Sequence, residues 1–317
     1  MTMTRVQHFN HSPKSFETSS AERIGLLIFY LLALSLFLFA SFFDRQVSQA
    51  VMDRSSVVGA FFQKYGIFGP NILLFSAFQI IAWVSFFSNY RLLQRFLLTS
   101  LFILLATNQL FFSLKGYFAY TLARLLNGQG HSVADPVLGQ WLLGIALSAV
   151  LSIVFYFYIA QQSDSERRYL LKAAMFGIAL VFVVSLVIGD LKLHWGRYRP
   201  FQMDAAMRQF TPWYHPNGSN GHYSFPSGHS TSGWLMVYLP FLLPRSWRRQ
   251  QQFLLMMTVA LAITIALSRV RYGAHWLSDV TAASLIVFSM VFLFSRLLGA
   301  HFVEAKTAKG QEGSKFF

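Results

Sequence analysis

The stretch Phe225-Pro226-Ser227-Gly228-His229-Ser230 closes a polar loop rich in Gly and Asn, and an apolar run, residues 230–243, starts directly behind it. Pro and Gly ahead of such a run predict a sharp turn into a membrane helix, with Ser227, Gly228 and His229 in its first turn. The first N–H groups of a helix have no internal partner, and the macrodipole leaves partial positive charge there. Such a turn suits an anion, phosphate above all, held by Ser227 and Gly228 with His229 beside it. A Ser-Gly-His turn can also cap a membrane helix with no further role, so the rest of the chain has to decide.

Outward from this turn the chain is a series of apolar runs. Of 317 residues 55% are hydrophobic and 12% charged, with 34 Phe, which excludes an ordinary soluble domain. Uncharged or nearly uncharged runs at 24–43, 70–87, 96–114, 137–160, 173–189, 230–243, 253–267 and 277–297 predict about eight membrane spans in an all-α, polytopic helical bundle. The first, at 1.5 Å per residue, covers a hydrocarbon core of about 30 Å and reads as an uncleaved span. Residues 44–69 mix Val and Phe with charges and predict an amphipathic segment at the interface. The loop 115–136 carries the turn cluster Asn127-Gly128-Gln129-Gly130. The expected division is a polar tail at 1–23, N-terminal membrane helices at 24–160, a catalytic membrane core at 161–300 and a second tail at 301–317. There is no cysteine, so neither a disulfide nor a thiolate metal site can form. The net charge of +14 is scattered between apolar runs, a pattern for anionic lipid headgroups and topology signals rather than nucleic acid. Lys and Arg are more numerous on the side that holds both termini, which places the termini in the cytoplasm and the Ser-Gly-His turn outside.

Two further stretches give the turn its company. Upstream, Lys192 is followed after six residues by Arg199-Pro200; downstream, Ser268-Arg269 is followed by His275 and then Asp279. Hydrolysis of a phosphate ester needs cations on the phosphoryl oxygens, a nucleophile in line with the leaving oxygen, and an acid to protonate it. Arg199 and Arg269 offer planar forks, Lys192 a point charge, and Ser227 with the Gly228 N–H neutral donors. His275 and Asp279 are four apart, so on a helix they share a face, and the carboxylate can hold one imidazole nitrogen while the other attacks phosphorus.

The three stretches, KxxxxxxRP, PSGH and SRxxxxxHxxxD in that order, resemble the type 2 phosphatidic acid phosphatase (PAP2) superfamily over residues 181–286. The resemblance implies His275 as a nucleophile that becomes phosphohistidine, Asp279 as its orienter, and His229 as acid for the leaving group and then base for water. It implies neither metal nor cofactor. It also implies a phosphorylated membrane lipid as substrate: polyprenyl pyrophosphate, lipid A phosphate, phosphatidate or phosphatidylglycerol phosphate. A lipid phosphotransferase, or a non-catalytic lipid-binding or transport protein on the same scaffold, stays open beside the phosphatase. Family members usually have six spans, and the two extra ones expected here precede the motifs.

Depth favours a lipid, since a helix from His229 to Arg245 would cover only about 24 Å and leave the turn near the outer headgroups. Arg197, Tyr198 and Arg271 flank the motifs as headgroup contacts or interfacial anchors, and Trp195, Trp213 and Trp276 read as an aromatic belt. His215, His222 and His229 recur every seven residues, but a loop gives that spacing no helical meaning. Oligomeric state is not written in the sequence.

Overall fold

The computed structural model describes residues 18–127 and 138–303, and no strand occurs among them. The elements are α1 (Ser20–Val51), α2 (Val57–Tyr65), α3 (Gly69–Phe86), α4 (Leu92–Asn127), α5 (Leu138–Ala160), α6 (Asp164–Trp195), α7 (Gly228–Leu235), α8 (Arg248–Arg271) and α9 (Leu277–Leu298). Six of these, α1, α3, α5, α6, α8 and α9, are long and apolar enough to cross a membrane. The two other expected spans fall on α4, which runs on to Asn127 where a loop was expected from Lys115, and on the run behind the Ser-Gly-His turn. That run is broken: α7 stops at Leu235 and a 3-10 segment, Met236–Leu242, carries Pro240, whose missing N–H ends α-helical bonding. The turn cluster at 128–130 and most of both expected tails lie outside the described residues.

Local chemistry sets the helix ends. Ser19, Ser56, Ser163 and Ser227 each accept, through Oγ, a hydrogen bond from an N–H in the first turn of α1, α2, α6 and α7. Gly196 ends α6 at φ +49°, and a Cβ there would lie 1.9 Å from the Gly218 carbonyl, so the position demands glycine twice over. Leu27, Leu31, Leu38 and Phe42 of α1, with Leu142 and Val150 of α5, point outward, while polar pairs sit between helices. Asn71 donates to Gln109 at 3.0 Å, Ser152 to Gln79 at 3.0 Å, and Thr107 meets Ser148 at 2.6 Å, joining α3, α4 and α5. Packing and such bonds hold helices together where lipid tails leave no hydrophobic drive between them.

The core is built around α7. Trp234, Leu235, Val237 and Tyr238 pack on Leu73 and Ile80 of α3, Leu180 and Val184 of α6, and Val287 and Val291 of α9. Gly233 lets α7 approach α8, where a Cβ would stand 3.0 Å from the Ala262 Cα.

The segment expected to lie at the interface from residue 44 divides differently. α1 continues straight to Val51, with Asp44 and Ser48 buried, and only α2 is a separate amphipathic helix. α1 is therefore one long helix fixed by two carboxylates. Glu22 accepts from Arg296 at 2.6 Å and from the Phe302 N–H at 2.9 Å, and Asp44 accepts from Arg197 at 2.9 Å.

Candidate functional site

The C-terminal ends of α6 and α8 and the N-terminal ends of α7 and α9 carry the three motifs, and they meet at one end of the bundle. Lys192 is in the last turn of α6 and Arg269 in the last turn of α8, where cations suit the negative ends of helices. Ser227 caps α7, and Asp279 stands in the first turn of α9.

Asp279 is the hub. Its Oδ1 accepts from Arg197 at 2.6 Å, and its Oδ2 accepts from the Ser224 hydroxyl at 2.5 Å and the Trp276 N–H at 3.0 Å. Its backbone carbonyl accepts from the Ser227 N–H at 3.1 Å, so the same residue ties the Ser-Gly-His turn to α9. The peptide between Phe225 and Pro226 in that turn is cis. Lys192 Nζ holds the other side of the turn, donating to the carbonyls of Pro226 at 2.5 Å and Tyr223 at 2.9 Å. It lies alongside Gly228, where a Cβ would stand 3.7 Å from Lys192 Cε. Arg199 is half-buried over the Phe201 ring, and its charge, with those of Lys192 and Arg269, bears on His229.

His275 is 2% exposed, and its Nδ1 lies 2.7 Å from the Ser224 carbonyl. A carbonyl can only accept, so Nδ1 carries the proton and Nε2 keeps its lone pair. The expected hold by Asp279 is looser, at 3.5 Å, because the nearer positions on that carboxylate are taken by Arg197, Ser224 and the Trp276 N–H. Burial drives the His275 imidazole well below its ordinary value, against the pull of Asp279. His229 is likewise pushed down, by burial first and by Arg269 second.

α2 covers the site. Gln63 accepts at its backbone carbonyl from His229 Nε2 at 3.1 Å and at Oε1 from Arg269 Nη1 at 2.7 Å. The Gly59 carbonyl accepts from Arg269 Nη2. A third N–H of the fork, on Nε, reaches Ser268 Oγ at 3.1 Å, which leaves one N–H on each of Nη1 and Nη2 for a ligand.

All eight residues singled out from the sequence thus gather at one end, while several neighbours behave differently from expectation. Arg197 is a buried cation between Asp44 and Asp279 rather than a headgroup contact. Arg271 pairs with Asp53 at 2.8 Å, and Tyr198 stacks on His222 at 3.5 Å between centroids. Trp276 is buried and donates to the Tyr198 carbonyl, Trp213 donates to Ser41 Oγ, and Trp195 donates to the Trp213 carbonyl. They pin the 196–227 loop to the bundle instead of forming a belt. Among the described residues no three His, Asp or Glu side chains converge as a metal cage would require. Sequence reasoning missed Asp44, Ser224, Gln63 and Gly59. Asp44 had a signal, a lone acid directly after 20 uncharged residues, whereas Ser224 meets His275 through a main-chain carbonyl that no residue type announces and Asp279 through its hydroxyl.

Residues 168–302 match the model of the PAP2 superfamily. Over 133 residues the chain is 37% identical to the lipid A 4'-phosphatase of Rhizobium etli, a match covering 40% of this chain and 50% of that protein. Over 158 residues it is 34% identical to the lipid A 1-phosphatase of Rhizobium johnstonii, covering 46% and 60%. The match thus spans little more than half the length of these curated relatives. No solved structure matches the chain. The three motifs and the helix ends that present them lie inside the matched region, and over residues 168–302 the chain is similar to the PAP2 superfamily.

Proposed function

We propose that the protein is an integral membrane phosphatase that removes a terminal phosphate, as monoester or pyrophosphate, from a membrane lipid by way of a phosphohistidine at His275. The observation that carries this is the state of His275: Nδ1 is committed to the Ser224 carbonyl and burial keeps the ring neutral, which leaves Nε2 as a nucleophile.

Lys192, Arg199 and Arg269, with Ser227 and the Gly228 N–H, hold the phosphoryl oxygens and take up the charge that develops on them. Nε2 of His275 forms the N–P bond as the P–O bond to the lipid breaks, and His229 gives its proton to the leaving oxygen. His229 is neutral in the empty site and gains its proton as the phosphate anion enters beside it. It then takes a proton from water, which attacks phosphorus, breaks the N–P bond and releases phosphate.

The named relatives favour lipid A phosphate among the substrates, ahead of polyprenyl pyrophosphate and phosphatidate. We place the protein in the inner (plasma) membrane with both termini cytoplasmic and the site facing the periplasm or exterior, on the Lys and Arg distribution.

The test is phosphate release by detergent-purified protein in EDTA from lipid A, undecaprenyl pyrophosphate, phosphatidate and phosphatidylglycerol phosphate, beside His275→Ala. Release that survives EDTA and drops by at least about a thousandfold in the variant is expected. Folded wild type that releases nothing would sink the hydrolase reading, and label recovered in a second lipid would make the enzyme a transferase.

A further inference from the structure

α1 lies outside the region that matches the superfamily, yet its Asp44 is built into the site. Asp44 is 3% exposed; its Oδ1 accepts from the Ser278 N–H at 2.9 Å, and its Oδ2 from Arg197 at 2.9 Å and from the Ser278 hydroxyl. The same guanidinium donates to Asp279 at 2.6 Å, to Ser278 Oγ at 2.7 Å and to the Thr211 carbonyl at 2.9 Å. Two buried carboxylates therefore share the Arg197 guanidinium, so with both ionised these three side chains carry one surplus negative charge, and Lys192 and Arg199 face Asp279 from the phosphate side.

That surplus is costly as mere scaffolding. A buried charge without its own partner is strongly destabilising. An Asn would fill the same volume and still accept a hydrogen bond from Arg197. The proposed reaction, however, makes a cation next door. When Nε2 bonds to phosphorus, the imidazole keeps its Nδ1 proton on the Ser224 carbonyl and becomes positively charged, with Asp279 3.5 Å from Nδ1.

We propose that Asp44 is a positioning residue for phosphoryl transfer: through Arg197 and Asp279 it leaves the cluster one negative charge that stabilises the phosphohistidine cation. The inference rests on the phosphohistidine reading above. No group is consumed by it. The N–P bond forms, the lipid P–O bond breaks, the leaving oxygen takes the His229 proton, and Asp44 neither gives nor takes a proton.

The experiment compares kcat and KM of wild type, Asp44→Asn and Ser278→Ala on whichever lipid of the panel above wild type turns over fastest. Ser278→Ala removes a hydroxyl bonded to both Asp44 and Arg197 but changes no charge. Asp44→Asn is expected to lower kcat about tenfold with KM within about twofold, and Ser278→Ala to keep kcat within about threefold. Asp44→Asn at wild-type kcat, or a folded Ser278→Ala that loses as much as Asp44→Asn, would overturn the proposal. Should Asp44→Asn fail to fold, Asp44→Glu decides, since it keeps the charge: kcat within about threefold of wild type supports the proposal, and a tenfold loss overturns it. Wild type that releases no phosphate overturns the phosphatase reading and this inference with it, an outcome distinct from an active wild type with an unaffected variant.

Discussion

His275 and His229 are both held neutral by burial, down to about 3 and about 4 from an ordinary 6.5, and that has a consequence for stability. Between pH 6.5 and about 4 the unfolded chain takes up protons that the folded chain refuses, so stability is complete above 6.5 and is lost as pH falls through that window. Thermal unfolding in detergent, followed by circular dichroism, should show a falling midpoint from pH 6.5 to 4 and a shallower fall in His275→Gln; a flat profile would mean that the rings are solvated. At this scale the sequence was most legible. The identities and spacing of Lys192, Arg199, His229, Arg269, His275 and Asp279 single out residues that the fold brings to one end of the bundle, and the proposed phosphoryl transfer would use those side chains. What it hid was who holds whom. The distance of 3.5 Å between His275 and Asp279 depends on Arg197, Ser224 and Trp276 crowding one carboxylate, and crowding is a property of the packed state.

Helix ends, rather than whole helices, make the site, and α2 is the element that sequence reasoning placed least well. Its Val and Phe content is that of any interfacial helix, but its Gln63 amide and Gly59 carbonyl orient the Arg269 fork. Gln63→Ala keeps the carbonyl that meets His229 and removes the amide, which leaves one arm of the fork free. The loss of about 1 kcal/mol of orientation should lower kcat/KM about fivefold, measured on the best lipid of the panel. An unchanged kcat/KM would make α2 a passive cover. The broken helix after His229 was hidden for a related reason. Residues 230–243 read as one apolar run, and only the burial of Trp234 to Phe241 among four neighbouring helices makes an eight-residue α7 followed by a 3-10 segment tolerable.

At the scale of the molecule, the all-α membrane bundle was plain from hydropathy, while the way α1 is anchored was not, since ion pairs between residues far apart in sequence leave no local pattern. Glu22 and Asp44 stand about 33 Å apart along α1 and within about 40° of each other around it, so their pairs with Arg296 and Arg197 fix both its rotation and its axial position. The uncharged residues between these pins match a hydrocarbon core of about 30 Å. α1, with one end fastened to the residue that holds the Asp279 carboxylate, would thereby act as a gauge of bilayer thickness. A thinner or thicker bilayer loads that helix by fractions of a kcal/mol per ångström of mismatch, and the strain arrives at Arg197. Reconstituted into phosphatidylcholine vesicles of graded acyl length, the protein should release phosphate fastest near 16 to 18 carbons and about two- to threefold more slowly in much shorter or longer chains, if it acts as proposed. Equal rates at all lengths would show that the pins carry no load. The composition of the surrounding membrane would then act as an input to the proposed reaction, felt through the bilayer's thickness and independent of how much substrate it contains.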